Sequence, residues 1–244
     1  MFSLEKLKVY ERALDSVARL TQLSANWDKR HAVVDHLLRA SESVVLNLAE
    51  GARLRGSSRR QHMLDYSIGS ALECAACLDI AQRKQFVVPL ESVREKKALC
   101  EVVKMLYGLR RSWTGDQLQE GSGEYTVEES FLFAHERLEA YQSSLLVVEW
   151  FQKSPGGAEL STRWLRQIDK ALTSLVLNIA EGNGRRIAAD HRQFLELAES
   201  SVMKVSTYIQ LCQRTGEMKA ESGQHGLFLL DRVALLVRGL ARNT

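Results

Sequence analysis

Proline is nearly absent from this chain, with only Pro89 and Pro155 among 244 residues. Without the residue that breaks helices, and with Leu, Ala, Glu, Arg and Gln abundant, long helices can run uninterrupted. The fold class expected is therefore all-α. Long apolar runs are lacking too. Charges interrupt every stretch approaching the ~20 residues a spanning helix needs, so no membrane association is expected. The opening residues, Met-Phe-Ser-Leu-Glu-Lys-Leu-Lys, are charged at once and lack a secretory signal pattern, which predicts a cytoplasmic protein. Cysteine is scarce, and Cys74, Cys77, Cys100 and Cys212 sit inside helical apolar patterns, which argues against a disulfide framework. The net charge of +3 is small for this length, so any nucleic-acid surface must come from local clustering.

What is present is a duplication. A single offset of 131 residues aligns the chain without gaps from Leu7 over Leu138 to Leu109 over Leu240. Tyr10 falls on Tyr141, Val45-Leu46-Asn47 on Val176-Leu177-Asn178, Leu64 on Leu195, and Gln82-Arg83 on Gln213-Arg214. A stretch rich in Gly, Ser and acids separates the copies and reads as a connector. The expected organisation is a first domain over 1–115, a linker over 116–125 and a second domain over 126–244.

Each copy reads as an up-down four-helix bundle. In the first, Leu7, Tyr10, Leu14 and Val17 give one apolar face over about 4–24, and Val34 through Leu48 give another over about 30–50. Gly51 is expected to stop the second helix in the left-handed conformation. Ser58 and Gln61 have capping-box spacing for a third helix, and a fourth follows Pro89. The second copy repeats this, with a capping box at Thr126 and Glu129, a turn at Pro155-Gly156-Gly157, a helix ending at Gly182, and a last helix after Gly223. Trp150, Phe151 and Trp164 are candidates for contact between copies or chains, with core burial as the alternative.

The most distinctive segment is Asn-Leu/Ile-Ala-Glu-Gly, comprising Asn47, Glu50 and Gly51 in one copy and Asn178, Glu181 and Gly182 in the other. A buried amide needs partners, and a glutamate in a last helical turn opposes the helix dipole. The structural expectation is that Glu caps the third helix or pairs with a following arginine, while Asn ties helices together. A polar functional site is the alternative, although one amide and one carboxylate supply no nucleophile, metal set or acid/base pair.

After each motif comes a basic loop: Arg53, Arg55, Arg59 and Arg60, then Arg185, Arg186 and Arg192. The first contains no acid between Gly51 and Leu64. Arginines beside flexible Gly and Ser can fork onto phosphates, so these seven are the candidate nucleic-acid-binding residues; a solvated surface partly paired with glutamates is the alternative.

Enzyme signatures are missing. There is no phosphate-binding glycine loop, nucleophile elbow or zinc helix, and none of the six histidines follows a glutamate by three residues. Cys74-Ala-Ala-Cys77 has redox or zinc spacing, but the second copy has Val205 and Tyr208 there, so core packing is expected. No catalytic residue, metal, cofactor or small-molecule substrate is expected. Arg30 to His36 and Arg186 to His191 loosely resemble the Arg-x(4 to 6)-His pattern of helical HEPN-type ribonucleases, which keeps a ribonuclease as a minor alternative.

Leu38-Arg39-Ala40-Ser41 with Ser43 through Gly51, and Ala171, Ser174, Asn178 through Gly182, Gly184-Arg185, Phe194-Leu195 and Ala198, together resemble the four-helix-bundle proteins of 23S ribosomal RNA intervening sequences. The chain is similar also to the accessory variability determinants of diversity-generating retroelements. Copy one departs at Arg53-Leu54, where Gly-Arg is the pattern, and at Met63, where an aromatic is. The resemblance implies a non-enzymatic homo-oligomer, since relatives form five-membered barrels. It also implies a nucleic-acid partner, RNA or DNA, or a nucleic-acid enzyme such as a reverse transcriptase. A protein-only scaffold without nucleic-acid binding is the competing expectation.

Overall fold

The computed structural model describes residues 4, 7–54, 59–114, 131–154, 160–184 and 188–242. Within them the chain is all-α. The first copy comprises α1 (Lys8–Ser24), α2 (Ala32–Arg53), α3 (Arg59–Arg83) and α4 (Pro89–Thr114). A 3-10 turn at Ala134–Arg137 leads into α5 (Glu139–Lys153), α6 (Thr162–Asn183), α7 (Ala188–Arg214) and α8 (Ala220–Arg242). In each copy every helix packs on its sequence neighbour and the first closes on the last, giving two up-down bundles.

Local chemistry sets the helix ends. Pro89 opens α4, where its missing N–H would have had no helical partner. At the end of α3 the Phe86 N–H donates to Ala81 O at 2.9 Å around Gln85 at φ +62, and at the end of α7 the Glu217 N–H donates to Cys212 O at 2.9 Å around Gly216 at φ +77. Both are the left-handed termination that suits glycine, and the repeat keeps it one offset apart. The starts of α1, α2, α5 and α6 carry no side-chain bond from their own cap residue. For α6, Glu217 supplies the missing acceptor to the Ser161 N–H at 2.8 Å.

The glycines of the repeated motif do not stop helices. α2 runs through Gly51 to Arg53, and α6 through Gly182 to Asn183, both glycines helical and buried. Their role is close approach: a Cβ on Gly51 would lie 3.2 Å from Met63 Cβ, and one on Gly182 would lie 2.9 Å from Phe194 Cβ. Gly223, expected to precede the last helix, lies inside α8, leaving room for the Gln213 side chain. The first helix starts at Lys8, later than its periodicity suggests. The Ser58 and Thr126 capping residues, the 116–125 connector and the Pro155-Gly156-Gly157 turn lie outside the described residues.

Both cores are aliphatic, with Leu37, Leu48, Leu64, Leu78 and Leu106 fully buried in copy one and Ile168, Leu172, Leu175 and Ile209 in copy two. Phe151 and Trp150 are spent inside copy two, Trp150 filling the space over Gly226. Trp164 packs on Tyr208 and donates to Glu217 at 2.8 Å. The contact between copies instead falls on α3, which packs on α5 and α6, with α2 touching α6. No helix of the described residues is long and apolar enough to cross a membrane.

Candidate functional site

Asn47 and Asn178 are half-buried on the second helix of each copy. Asn47 Nδ2 donates to Ser43 Oγ at 2.9 Å, and Asn178 Nδ2 to Ser174 O at 2.8 Å, each one helical turn back. The bond between helices belongs to the serines: Ser43 meets Ser70 at 2.7 Å and Ser174 meets Ser201 at 3.1 Å. The asparagines thus brace a serine ladder and do not themselves reach across. Glu50 accepts from Arg59 Nη2 at 3.2 Å, bringing the end of α2 to the start of α3.

Four of the seven candidate arginines are described. Arg53, Arg59 and Arg192 are exposed, whereas Arg60 lies half-buried with its guanidinium 3.4 Å from the Trp113 ring centroid. Arg55, Arg185 and Arg186 lie outside the described residues. Gly184, the residue before Arg185, rests against Leu72 of α3. Leu72 is thirteen residues from Arg59, so Gly184 rests on α3 roughly 20 Å from Arg59 along the helix.

Of the ribonuclease-like pairs, Arg30 is held by Asp28 at 2.6 Å and His36 Nδ1 by Glu73 at 2.9 Å. His191 lies beside Gly182, and burial lowers its pKa. Cys74 and Cys77 are fully buried on α3, and burial pushes both thiols well above their ordinary range. All four cysteines are free and buried.

The junction between copies holds two polar clusters that motif reasoning missed. In the first, Asp169 of α6 accepts the Ala32 N–H at 2.7 Å, lies 2.9 Å from His31 Nδ1 and pairs with the buried Lys84 ammonium. Asp169 so caps α2 from the other copy, placing a carboxylate at the positive end of its dipole. Burial alone would raise the Asp169 carboxyl, but the His31 bond, the Lys84 charge and the Ala32 N–H together hold it below its ordinary value.

In the second cluster Lys96 Nζ bridges Asp79 at 2.7 Å and Glu136 at 2.9 Å, while the buried Tyr141 hydroxyl donates to Asp79 at 2.9 Å. His135 sits against this group, and its ligating nitrogen and carboxylate oxygens of Asp79 and Glu136 lie within 4.8 Å of one another. That is metal-like spacing, yet the Lys96 ammonium already stands between the carboxylates where a cation would sit. Arg83 to Glu149 at 2.7 Å adds a third link across the junction.

The signal for these clusters was in the alignment of the copies. Asp169 falls on Leu38, Lys84 on Thr215, Asp79 on Gln210 and Lys96 on Leu227, so these four charges are carried by one copy only, whereas Arg83 falls on Arg214 and Glu136 on Glu5.

The family model described as 23S rRNA-intervening sequence protein matches residues 5–108 and again residues 136–239, separated by the same offset that aligns the copies. No curated protein and no solved structure matches the chain. With most of its length matched in two tandem segments, the chain belongs to the 23S rRNA-intervening sequence protein family and carries its helical domain twice.

Proposed function

We propose that this chain is a non-enzymatic helical adaptor that assembles with copies of itself and presents arginines at its α2–α3 and α6–α7 turns to the phosphates of RNA or DNA. The supporting observation is the exposure of Arg53, Arg59 and Arg192 beside the repeated motif of each copy. The Arg59 to Glu50 pair is itself exposed, and such pairs contribute little, so phosphate can displace the carboxylate at small cost. The roughly 20 Å along α3 between Arg59 and the place where Gly184 rests suits an extended strand better than one compact site.

Titrating the protein into labelled single-stranded and duplex RNA and DNA over a salt series tests this. Binding is expected to weaken steeply with salt, log K falling with log salt by ~0.7 to 0.9 per phosphate contact. Replacement of all seven arginines by alanine is expected to abolish it. Absence of binding at low salt leaves the protein-only scaffold, a reading favoured by the exposed Leu46, Met203 and Leu235.

A further inference from the structure

The contact between the copies is heterologous: α3 of the first meets α5 and α6 of the second, which are the repeats of α1 and α2. Two different surfaces make such a contact, and every copy carries a version of both. One version of each is therefore left over, the α1–α2 surface at the first copy and the α7 surface at the second.

Burial follows this division. α3 is covered on two sides, one turned to its own bundle and the other, along Leu72, Ala76 and Ile80, buried in addition. α7 buries only the equivalent of the first side, and Met203, Thr207 and Leu211, one repeat on from that stripe, are exposed. Leu72 is 4% exposed and Met203 56%. On the opposite surface Leu145 and Leu177 are buried, while their repeats Leu14 and Leu46 are exposed, Leu177 at 5% and Leu46 at 67%. The leftover surfaces also lack the buried ions of the junction. Leu38 stands in the place of Asp169 and Thr215 in the place of Lys84, so neither ion of that buried pair is present there, and Arg214, the repeat of Arg83, is exposed.

We infer that chains join head to tail, the α1–α2 surface of one chain with Leu14, Leu38 and Leu46 seating on the α7 surface of the next with Met203, Thr207 and Leu211. The contact between chains repeats the geometry of the contact within a chain. The inference rests on the self-association proposed above and identifies the surfaces that carry it. Because each chain brings two bundles, any ring closed this way contains an even number of bundles; without closure the same contact grows an open filament.

Sedimentation velocity of the full chain, its Leu46→Glu variant, its Met203→Glu variant and their equimolar mixture tests this. The wild type is expected to sediment as a multi-chain species. Each variant is expected to fall to the single-chain mass of 27.5 kDa with unchanged helical circular dichroism, both side chains being exposed. The mixture is expected to form pairs of twice that mass and nothing larger, since one variant supplies the intact α7 surface, the other the intact α1–α2 surface, and only one junction can form. A single-chain wild type overturns self-association itself. A multi-chain wild type unaffected by both substitutions overturns these surfaces alone. A mixture that stays single-chain, or forms species larger than a pair, overturns the head-to-tail arrangement. Nucleic-acid binding is read separately and is untouched by any of these outcomes.

Discussion

His135 is an imidazole with no hydrogen-bond partner for either nitrogen among the described residues, stacked on Phe133 at 5.7 Å and edge-on to Tyr141 at 4.8 Å. Burial, helped by the nearby Lys96 ammonium, pushes its pKa from 6.5 down to about 3. The folded state therefore keeps His135 neutral where the unfolded chain binds a proton. Its contribution is complete above pH 6.5 and is lost progressively as pH falls toward the folded value. Urea denaturation at pH 7.5, 6.0 and 5.0 is expected to show wild-type stability falling by about 1.4 kcal/mol per unit below 6.5 from this residue, and His135→Leu to lose that slope. An unchanged slope in the variant would assign the acid sensitivity to other groups. None of this was legible in the sequence, because a lone histidine after a connector has no periodicity to place it. Asn47 and Glu50, by contrast, stood out as polar residues in an aliphatic helix, and both are hydrogen-bonded.

Helix pairs show why the repeated Asn-Leu/Ile-Ala-Glu-Gly motif ends in glycine. Gly182 lies where α6 and α7 cross, and the nearest atom to an added methyl is Phe194 Cβ, which cannot swing aside. Gly182→Ala is expected to cost about 1–3 kcal/mol by overpacking. Gly108 and Gly239 lie on α4 and α8 with nothing within 4 Å, so alanine there is expected to stabilise by about 0.5–1 kcal/mol through helix propensity. Chemical denaturation of the three variants separates the two roles, and equal effects would refute the crossing argument. The helices themselves were legible from spacing, since Leu37, Ser41, Val44 and Leu48 recur at three to four residues and are all buried. The stop at Gly51 was misread because a glycine needed for close packing and one needed for a left-handed turn look alike in a sequence. Gly216 and Gln85, which do take positive φ, had no glycine in common to announce them.

At the scale of the molecule, the buried Asp169–Lys84 pair joins the two bundles with charges whose repeats, Leu38 and Thr215, are uncharged. Asp169→Ala is expected to destabilise by about 3–5 kcal/mol, because it leaves the Lys84 ammonium buried without its carboxylate. Asp169→Leu combined with Lys84→Thr installs the residues found one repeat away, and is expected to recover all but the ~1 kcal/mol of the lost cap on α2. A double-mutant cycle in urea checks the coupling, and additive losses would mean the pair does not act as a unit.

The sequence by itself determined the all-α class, the duplication, the helix faces and the family, because apolar spacing and a constant offset are properties of the chain alone. Which of two equivalent faces is covered was decided only by tertiary structure. α3 and α7 carry the same core pattern, and the difference between buried Leu72 and exposed Met203 exists only once α5 and α6 have docked on one of them. Burial is a property of neighbours, and the neighbours of α3 lie a whole repeat away in the chain.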